Sequence, residues 1–86
     1  MKILFHPKAA KDFKKLGDDL RARFRKKLQV LENRPELGKR LKHSDFWSLR
    51  VGDHRVIYEI DKENKSIVVL FIGHRKKVYD DFSKLL

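Results

Sequence analysis

The order of apolar patterns along the chain predicts an α+β fold with the elements β-α-α-β-β-β-α. Apolar residues recur at helical spacing in the first third of the chain, whereas the second half alternates apolar and polar residues with period two. The strand-like segments of the second half follow one another with short turns between them, which favours antiparallel pairing. We therefore expect a mainly antiparallel four-stranded sheet with a helical hairpin on one face.

The first elements are a strand and two helices. Residues 2–6 are β-prone and end at Pro7, which suits the first turn of a helix. The apolar spacing then continues to a glycine that predicts the end of this helix. Asp18 and Asp19 predict the cap of a second helix, whose apolar stripe stops at residues 33–35. The two helices are predicted to form an αα-hairpin packed on the sheet.

The remaining elements are three strands and a closing helix. Residues 36–45 are rich in basic residues and predict a loop within the domain. Strands are predicted at 46–51, 54–61 and 65–74, and the last is apolar on both faces, which indicates an interior position. Residues 76–86 predict a short helix that presents one apolar side: Val78, Phe82 and Leu85.

Size and charge restrict the class of protein. The 86 residues suffice for a single domain spanning 1–86, and 22 Lys and Arg against 12 Asp and Glu give a formal charge of +10. This excess of base points to a polyanionic partner, with nucleic acid first and membrane lipid second. With no Cys and no metal-ligand spacing among the four His, neither a structural metal nor a cofactor is expected. The N-terminal apolar run is too short for a signal or a membrane span, so we expect a cytoplasmic protein without a membrane role.

The stretch FWSLRVGDHRVIYEI, residues 46–60, predicts a β-hairpin that turns at Gly52 and Asp53. A two-residue turn with Gly first suits type II′ and fixes the register, in which Arg50 opposes Arg55. Both guanidinium groups then lie on the face away from the core, where directly opposed like charges destabilise a sheet. An anion is therefore expected between them. The opposite face is predicted to be core: Trp47, Leu49, Val51, Val56, Tyr58 and Ile60.

The second hairpin is predicted to bring further basic residues to the same end of the sheet. A turn at residues 63–64 places Arg55 beside Ile72. The resulting pocket would grip a phosphate through its cationic members: Arg50, Arg55, His74 and Arg75. Tyr79 lies one helical turn beyond Arg75 and could close over the pocket. His54 flanks the hairpin turn, which predicts a structural role. Surface ion pairs of the arginines with Glu59 or Asp45 are the alternative.

Few enzyme classes fit these residues. The sequence shows no paired carboxylates for a metal site, no Gly-rich phosphate loop and no Ser-His-Asp or Cys-His pattern. What remains is metal-free RNA cleavage, in which the substrate's 2′-hydroxyl attacks the adjacent phosphorus. Arginines can stabilise the charge that develops on the phosphate, while His or Tyr can transfer protons.

Residues 41–43 (LKH), 46–58 (FWSLRVGDHRVIY), 73–75 (GHR) and 78–79 (VY) resemble the RelE/ParE superfamily of bacterial and archaeal toxins. The resemblance extends over nearly the whole chain, including the helical hairpin. It implies a microbial ribonuclease-like fold, the RelE fold. In the RelE and YoeB branches it implies a toxin of a type II toxin–antitoxin system, an endoribonuclease that cleaves messenger RNA in the ribosomal A site and inhibits translation.

The resemblance also implies roles for single residues. Arg55 would stabilise the transition state, Arg75 would be the second arginine on the phosphate, and Arg50 would assist. His74 or Tyr79 would act as acid–base or base-stacking groups. Residues assigned to RNA or ribosome binding are Lys39, Arg40, Lys42, Ser48, Lys76 and Lys77.

The chain departs from the family pattern at the general base. Where some RelE proteins carry two lysines on the first hairpin strand, this chain has Phe46 and Ser48. The YoeB branch uses a glutamate in the preceding loop, and the nearby Glu36 and Lys39 do not align with it. The proton acceptor therefore has no assigned counterpart.

Two other functions remain open. ParE-like members share the fold but act on DNA gyrase, and a third reading is a basic RNA- or ribosome-binding module without chemistry. The resemblance implies that this chain has a cognate antitoxin with an acidic, amphipathic segment. It also implies that the chain binds the ribosome and messenger RNA, and that it binds operator DNA only as part of a toxin–antitoxin complex. A chain of charge +10 suits an acidic partner. Exposed apolar candidates for that contact are Phe46, Ile57 and Val30.

Overall fold

The computed structural model describes residues 1–83, apart from the side chains of residues 81 and 82. Its helices are α1 (Pro7–Lys14), α2 (Asp18–Asn33) and α3 (Arg75–Ser83), and a 3₁₀ turn covers Pro35–Leu37. The strands are β1 (Lys2–Phe5), β2 (Lys39–Arg40), β3 (Phe46–Val51), β4 (His54–Asp61) and β5 (Ser66–His74). They form one sheet in the order β1-β5-β4-β3-β2, in which only β1 and β5 run parallel. The predicted α+β class and mainly antiparallel sheet are confirmed.

The sheet has five strands rather than four, because part of the predicted loop pairs with β3. Lys39 lies opposite Ser48 and Arg40 opposite Trp47. Two paired residues are too short for an alternating pattern, and this strand depends on the backbone groups that β3 offers it. Sequence periodicity could not reveal it.

The helical hairpin begins much as predicted. Pro7 occupies the first turn of α1, while the cap of α2 is Gly17 and not an aspartate. Asp18 and Asp19 lie in the first turn of α2, where their negative charges face the positive end of the helix dipole.

The main core lies between this hairpin and one face of the sheet. Phe24 and Leu31 of α2 and Ala9 of α1 are fully buried there. The predicted core face of the β3–β4 hairpin packs against them: Trp47, Leu49, Val51, Val56, Tyr58 and Ile60. The alternation that assigned these residues to the core is confirmed.

A smaller apolar cluster occupies the opposite face of the sheet. Ile57 of β4 and Val78 of α3 are 0% and 1% exposed, and Phe46 packs against them. Helix α3 therefore covers the face that the sequence assigned to solvent, and the prediction of Ile57 as an exposed contact is wrong. Val30 is exposed as predicted. The predicted contributions of Phe82 and Leu85 to the closing helix lie outside the described residues.

The β4–β5 register agrees with prediction near the turn and then shifts by one. Tyr58 pairs with Val69, but Ile57 pairs with Phe71, so β5 contains an extra residue, Leu70, at this point. Arg55 consequently lies opposite Gly73 and not Ile72. A β-bulge is set by local backbone geometry that the apolar run of β5 does not encode in its pattern.

Candidate anion-binding site

A cleft of about 310 Å³ lies where the tip of the β3–β4 hairpin meets the end of β5. We call it the anion cleft, and seven residues line it: Arg50, Gly52, Asp53, His54, Arg55, His74 and Arg75. All four residues of the predicted pocket belong to it. Three arginines and two histidines face a single carboxylate, so the cleft has a positive potential that suits a phosphate.

The turn of the hairpin aligns the first two arginines. Gly52 has a φ of 62°, as the first central position of a type II′ turn requires, and Arg50 pairs with Arg55 as predicted. The Nε of Arg50 donates to the carbonyl of Gly52 at 2.9 Å. This bond turns the exposed Arg50 along the hairpin tip.

Arg55 is the more constrained arginine of the pair. Its Nη1 donates to the hydroxyl of Ser48 at 3.1 Å, and its Cζ lies 5.8 Å from the centre of the Tyr79 ring. Within the described part of the chain its buried Nε makes no hydrogen bond. The guanidinium is therefore held from two sides while part of its donor capacity is unused, which suits the binding of an anion.

Ser48 lies inside the fold. It is 3% exposed, so its hydroxyl reaches Arg55 and not solvent. The prediction that Ser48 contacts RNA is therefore wrong, because the side chain is covered, and the structure gives it the role of positioning Arg55.

Two histidines pair across β4 and β5 beside the arginines. His54 lies opposite His74, with ring centres 5.6 Å apart, and the ring of Phe24 contacts His54 edge-on from α2. Burial lowers the pKa of His54, the neighbouring His74 lowers it further, and Asp53 acts in the opposite direction. His54 thus favours the neutral imidazole, which can accept a proton.

The start of α3 is fixed to the hairpin turn. The backbone N–H of Arg75 donates to the carbonyl of Asp53 at 3.1 Å, and His74 accepts a long bond of 3.5 Å from the N–H of Lys76. These bonds hold the third arginine at the mouth of the cleft. Tyr79 follows on the same helix and is 36% exposed, so its ring remains available for stacking.

The basic residues outside the cleft that are predicted to bind RNA lie on both faces of the sheet. Lys39 pairs with Ser48 and so shares the face of Arg55, whereas Arg40 points to the other face. Arg40 bonds the carbonyl of Ser44 at 3.1 Å and lies 3.7 Å from Asp45. The structure therefore separates Arg40 from the anion cleft. Three further predicted contacts are exposed without lining it: Lys42, Lys76 and Lys77.

Sequence reasoning missed His54 as a member of the cleft. Its place beside the turn predicts a structural role, although the predicted hairpin also puts it at the end of the sheet that carries Arg55. The bulge in β5 places His74 opposite His54, and it is this pairing that identifies His54 as part of the cleft. A pairing that depends on a bulge could not be found from spacing.

The chain was compared with known families and structures. The family described as the ParE toxin of the type II toxin–antitoxin system parDE matches residues 3–79. The structure is similar to free E. coli RelE in an Arg-to-Ala double variant, with a TM-score of 0.81, 26% identity, and 99% of this chain and 96% of that chain covered. Comparison with curated proteins gave no match.

Two complexes are also similar to this chain. The RelB–RelE antitoxin–toxin complex of Methanococcus jannaschii gives a TM-score of 0.74 at 26% identity, covering 92% of this chain and 98% of that one. The RelBE2 toxin–antitoxin complex of Mycobacterium tuberculosis gives 0.75 at 29% identity, covering 86% and 96%. Fold and sequence together define a toxin of the type II toxin–antitoxin class. The chain belongs to the ParE toxin family, within the RelE/ParE superfamily.

No helix within residues 1–83 is long and apolar enough to cross a membrane.

Proposed function

We propose that this toxin is a metal-independent endoribonuclease that cuts messenger RNA in the ribosomal A site in the cytoplasm and so inhibits translation. The 2′-hydroxyl of the substrate gives up its proton to a base as its oxygen attacks the adjacent phosphorus, the bond from phosphorus to the 5′-oxygen breaks, and that oxygen takes up a proton. The products are a 2′,3′-cyclic phosphate and a 5′-hydroxyl end.

The constrained geometry of Arg55 is the observation that carries this proposal. Ser48 and Tyr79 hold its guanidinium beside Arg50 and Arg75 before any substrate binds. Positive groups fixed in advance stabilise charge that develops on the phosphate without the cost of reorganising them. Arg55 and Arg75 would hold the reacting phosphate, and Arg50 would assist them.

Proton transfer belongs to the groups at the edge of the cleft. His74 and Tyr79 are exposed, so each could donate or accept a proton or stack on a base. His54 adds a third candidate, since its lowered pKa favours the neutral form that a general base requires. His54 would then act as the general base, for which Phe46 and Ser48 offer no counterpart to the lysines of some RelE proteins.

We also propose a cognate antitoxin with an acidic, amphipathic segment, and binding of operator DNA only by the toxin–antitoxin complex. Similar RelE chains occur in complexes with RelB. The charge of +10 would attract an acidic segment over a long range. Val30 is 41% exposed and Phe46 is partly exposed, so both remain apolar contact candidates.

The test is primer extension on a reporter messenger RNA in a translating extract. We expect cuts within A-site codons with the wild-type protein. Arg55→Ala should lose about 2–4 kcal/mol of transition-state stabilisation, which lowers the cleavage rate by roughly thirtyfold to nine-hundredfold. Arg34→Ala is the matched control, since Arg34 lies with Met1 and Lys62 at the other end of the sheet. It should cleave like the wild type.

A folded wild-type protein that produces no cuts would refute the ribonuclease proposal. The ParE family match then favours the second candidate, a toxin that acts on DNA gyrase, and a supercoiling assay would test it. RNA or ribosome binding that inhibits translation without cuts, and that persists in Arg55→Ala, would instead indicate a non-catalytic binding module.

A further inference from the structure

A second cavity adjoins the anion cleft on the α2 side of the hairpin tip. It encloses about 460 Å³ and is lined by basic residues together with part of the turn: Arg23, Lys26, Lys27, Arg50, Val51 and Gly52. We call it the basic groove. No carboxylate is among these lining residues, so their positive charges are not neutralised within the groove. The groove therefore has a positive potential that attracts anions.

The three residues from α2 share one side of the helix. Arg23 is followed by Lys26 and Lys27 at spacings of three and four, which bring their side chains together on the helix surface. Like charges at these spacings oppose helix formation. Within the described residues none of the three forms an ion pair, whereas Arg21 of the same helix pairs with Asp18. An anion supplied from outside would offset this repulsion.

The groove and the cleft are continuous at the hairpin tip. Arg50 and Gly52 line both, and the bond from the Nε of Arg50 to the Gly52 carbonyl fixes their shared wall. The Arg23 guanidinium comes within 3.5 Å of the position that a Cβ on Gly52 would take. This distance is an ordinary van der Waals contact, so α2 brings a cation close to the turn.

We propose that the basic groove binds a second backbone phosphate of the same single-stranded RNA whose reacting phosphate lies in the anion cleft. The strand crosses the hairpin tip at Gly52, and Arg50 lies between the two phosphates. This inference rests on the proposed function for the identity of the nucleic acid. A single strand is favoured over a duplex because the reacting phosphate must reach a cleft bounded by the tip of one hairpin and the start of α3.

The test measures binding apart from cleavage. Fluorescein-labelled 2′-O-methyl oligoribonucleotides of two to six nucleotides lack the attacking hydroxyl, and their affinities are measured by fluorescence anisotropy at low salt. We expect wild-type affinity to rise stepwise once the strand is long enough to reach the groove. Lys26→Gln/Lys27→Gln should remove this step, weaken the longer oligonucleotides about tenfold, and lower the salt slope by about 0.7 for each lost phosphate contact.

Lys2→Gln/Lys62→Gln is the charge-matched control. It also removes two positive charges, but from the opposite end of the sheet, where Lys2 pairs with Ser66 near the β4–β5 turn. This variant should keep the length step. Thermal unfolding of both variants establishes that each is folded.

The outcomes separate this inference from the proposed function. A length step that survives in the groove variant, or an equal loss in the control variant, overturns the groove. Tight binding of a duplex with no binding of single strands overturns it as well. Loss of the step in the groove variant alone supports the groove even where primer extension shows no cuts, and in that case only the ribonuclease proposal fails.

Discussion

Arg55 and Ser48 are joined diagonally across the β3–β4 hairpin by a hydrogen bond of 3.1 Å from Nη1 to the serine hydroxyl. Ser48 lies two residues before Arg50, the direct partner of Arg55, and it is almost fully buried. A buried acceptor on a paired strand restricts the arginine more than an exposed side chain could. The cleft arginine is thus oriented by the sheet itself.

Ser48→Ala should therefore impair activity, although Ser48 itself is buried and does not contact the RNA. The variant loses a hydrogen bond to a charged group, worth about 1.5–3 kcal/mol, and the freed guanidinium occupies more orientations. We expect messenger RNA cleavage about tenfold slower or more, measured by primer extension in a translating extract. The same experiment should show that Arg55→Ala/Ser48→Ala is no worse than Arg55→Ala, because the serine acts through the arginine.

Ser66→Ala is the control for this prediction. Ser66 is equally buried, and its hydroxyl donates to the carbonyl of Asn64 at 3.0 Å, at the other end of the sheet. It should cost about 0.5–1.5 kcal/mol of stability, as expected for a hydrogen bond between neutral groups, while leaving cleavage unchanged. Equal activity losses in both variants would attribute the effect of Ser48 to stability alone.

The opposed pair of Arg50 and Arg55 predicts a gain in stability on removing one charge. Arg50→Gln relieves a direct cross-strand repulsion, so we expect the free energy of unfolding to rise by about 0.2–1 kcal/mol at low salt. Nucleic-acid affinity should fall in the same variant. Urea unfolding measures the first effect, and anisotropy with an uncleavable oligonucleotide measures the second.

Salt and a second variant supply the controls. Screening should reduce the stability gain in about 0.5 M salt. The gain should also vanish when Arg50→Gln is made in an Arg55→Gln background, since the repulsion is then already absent. A destabilised Arg50→Gln at low salt would show that its bond to the Gly52 carbonyl outweighs the repulsion.

The first hairpin could be predicted in detail because two independent signals agree there. The turn at Gly52 fixes the register, and the alternation of apolar residues fixes which face is buried. From these the opposition of Arg50 to Arg55 follows directly, and the structure reproduces it. The predicted positions of Arg50 and Arg55 depend on this hairpin alone, and the observed register confirms them.

Features that depend on tertiary contacts escaped prediction. Ile57 alternates onto the face with the arginines and looked exposed, but Val78 of α3 covers it. The bulge at Leu70 and the two-residue β2 leave no periodic signal, so the partner of Arg55 on β5 and the fifth strand were both missed. The grouping of Arg23 with Arg50 likewise needs the packing of α2 on the sheet.

The lowered pKa of His54 predicts that the protein is less stable in mild acid. Burial and the nearby His74 lower its pKa in the folded state below the ordinary value of 6.5, while Asp53 opposes the shift. Below pH 6.5 the unfolded chain binds more protons at this residue than the folded chain does, so acid favours unfolding. The free energy of unfolding should begin to fall as the pH drops to about 6.5 and should fall further below it, down to the lowered pKa of the folded state, as measured by urea unfolding.

His54→Gln should flatten this pH dependence. Other titratable or charged groups face the same cleft: Arg50, Asp53, Arg55, His74 and Arg75. His43→Asn is the control, since His43 is exposed in the loop before β3 and should leave the pH dependence as it is. An unchanged slope in His54→Gln would assign the acid sensitivity to another group.

Tyr58 anchors the segment that leads into β2, and its hydroxyl predicts a sharp stability loss. The hydroxyl donates to the carbonyl of Pro35 at 2.8 Å and accepts from the N–H of Gly38 at 3.1 Å. Tyr58→Phe keeps the packing but leaves both backbone groups without this partner, so we expect it to cost about 1–3 kcal/mol.

Gly38→Ala should be worse, because its Cβ would lie 2.7 Å from both the Ser48 carbonyl and the Tyr58 hydroxyl. Thermal unfolding of these two variants and of Gly17→Ala measures the difference, since a Cβ at Gly17 meets nothing within 4 Å. Equal melting temperatures for Gly38→Ala and Gly17→Ala would show that the close approach at Gly38 does not constrain the fold.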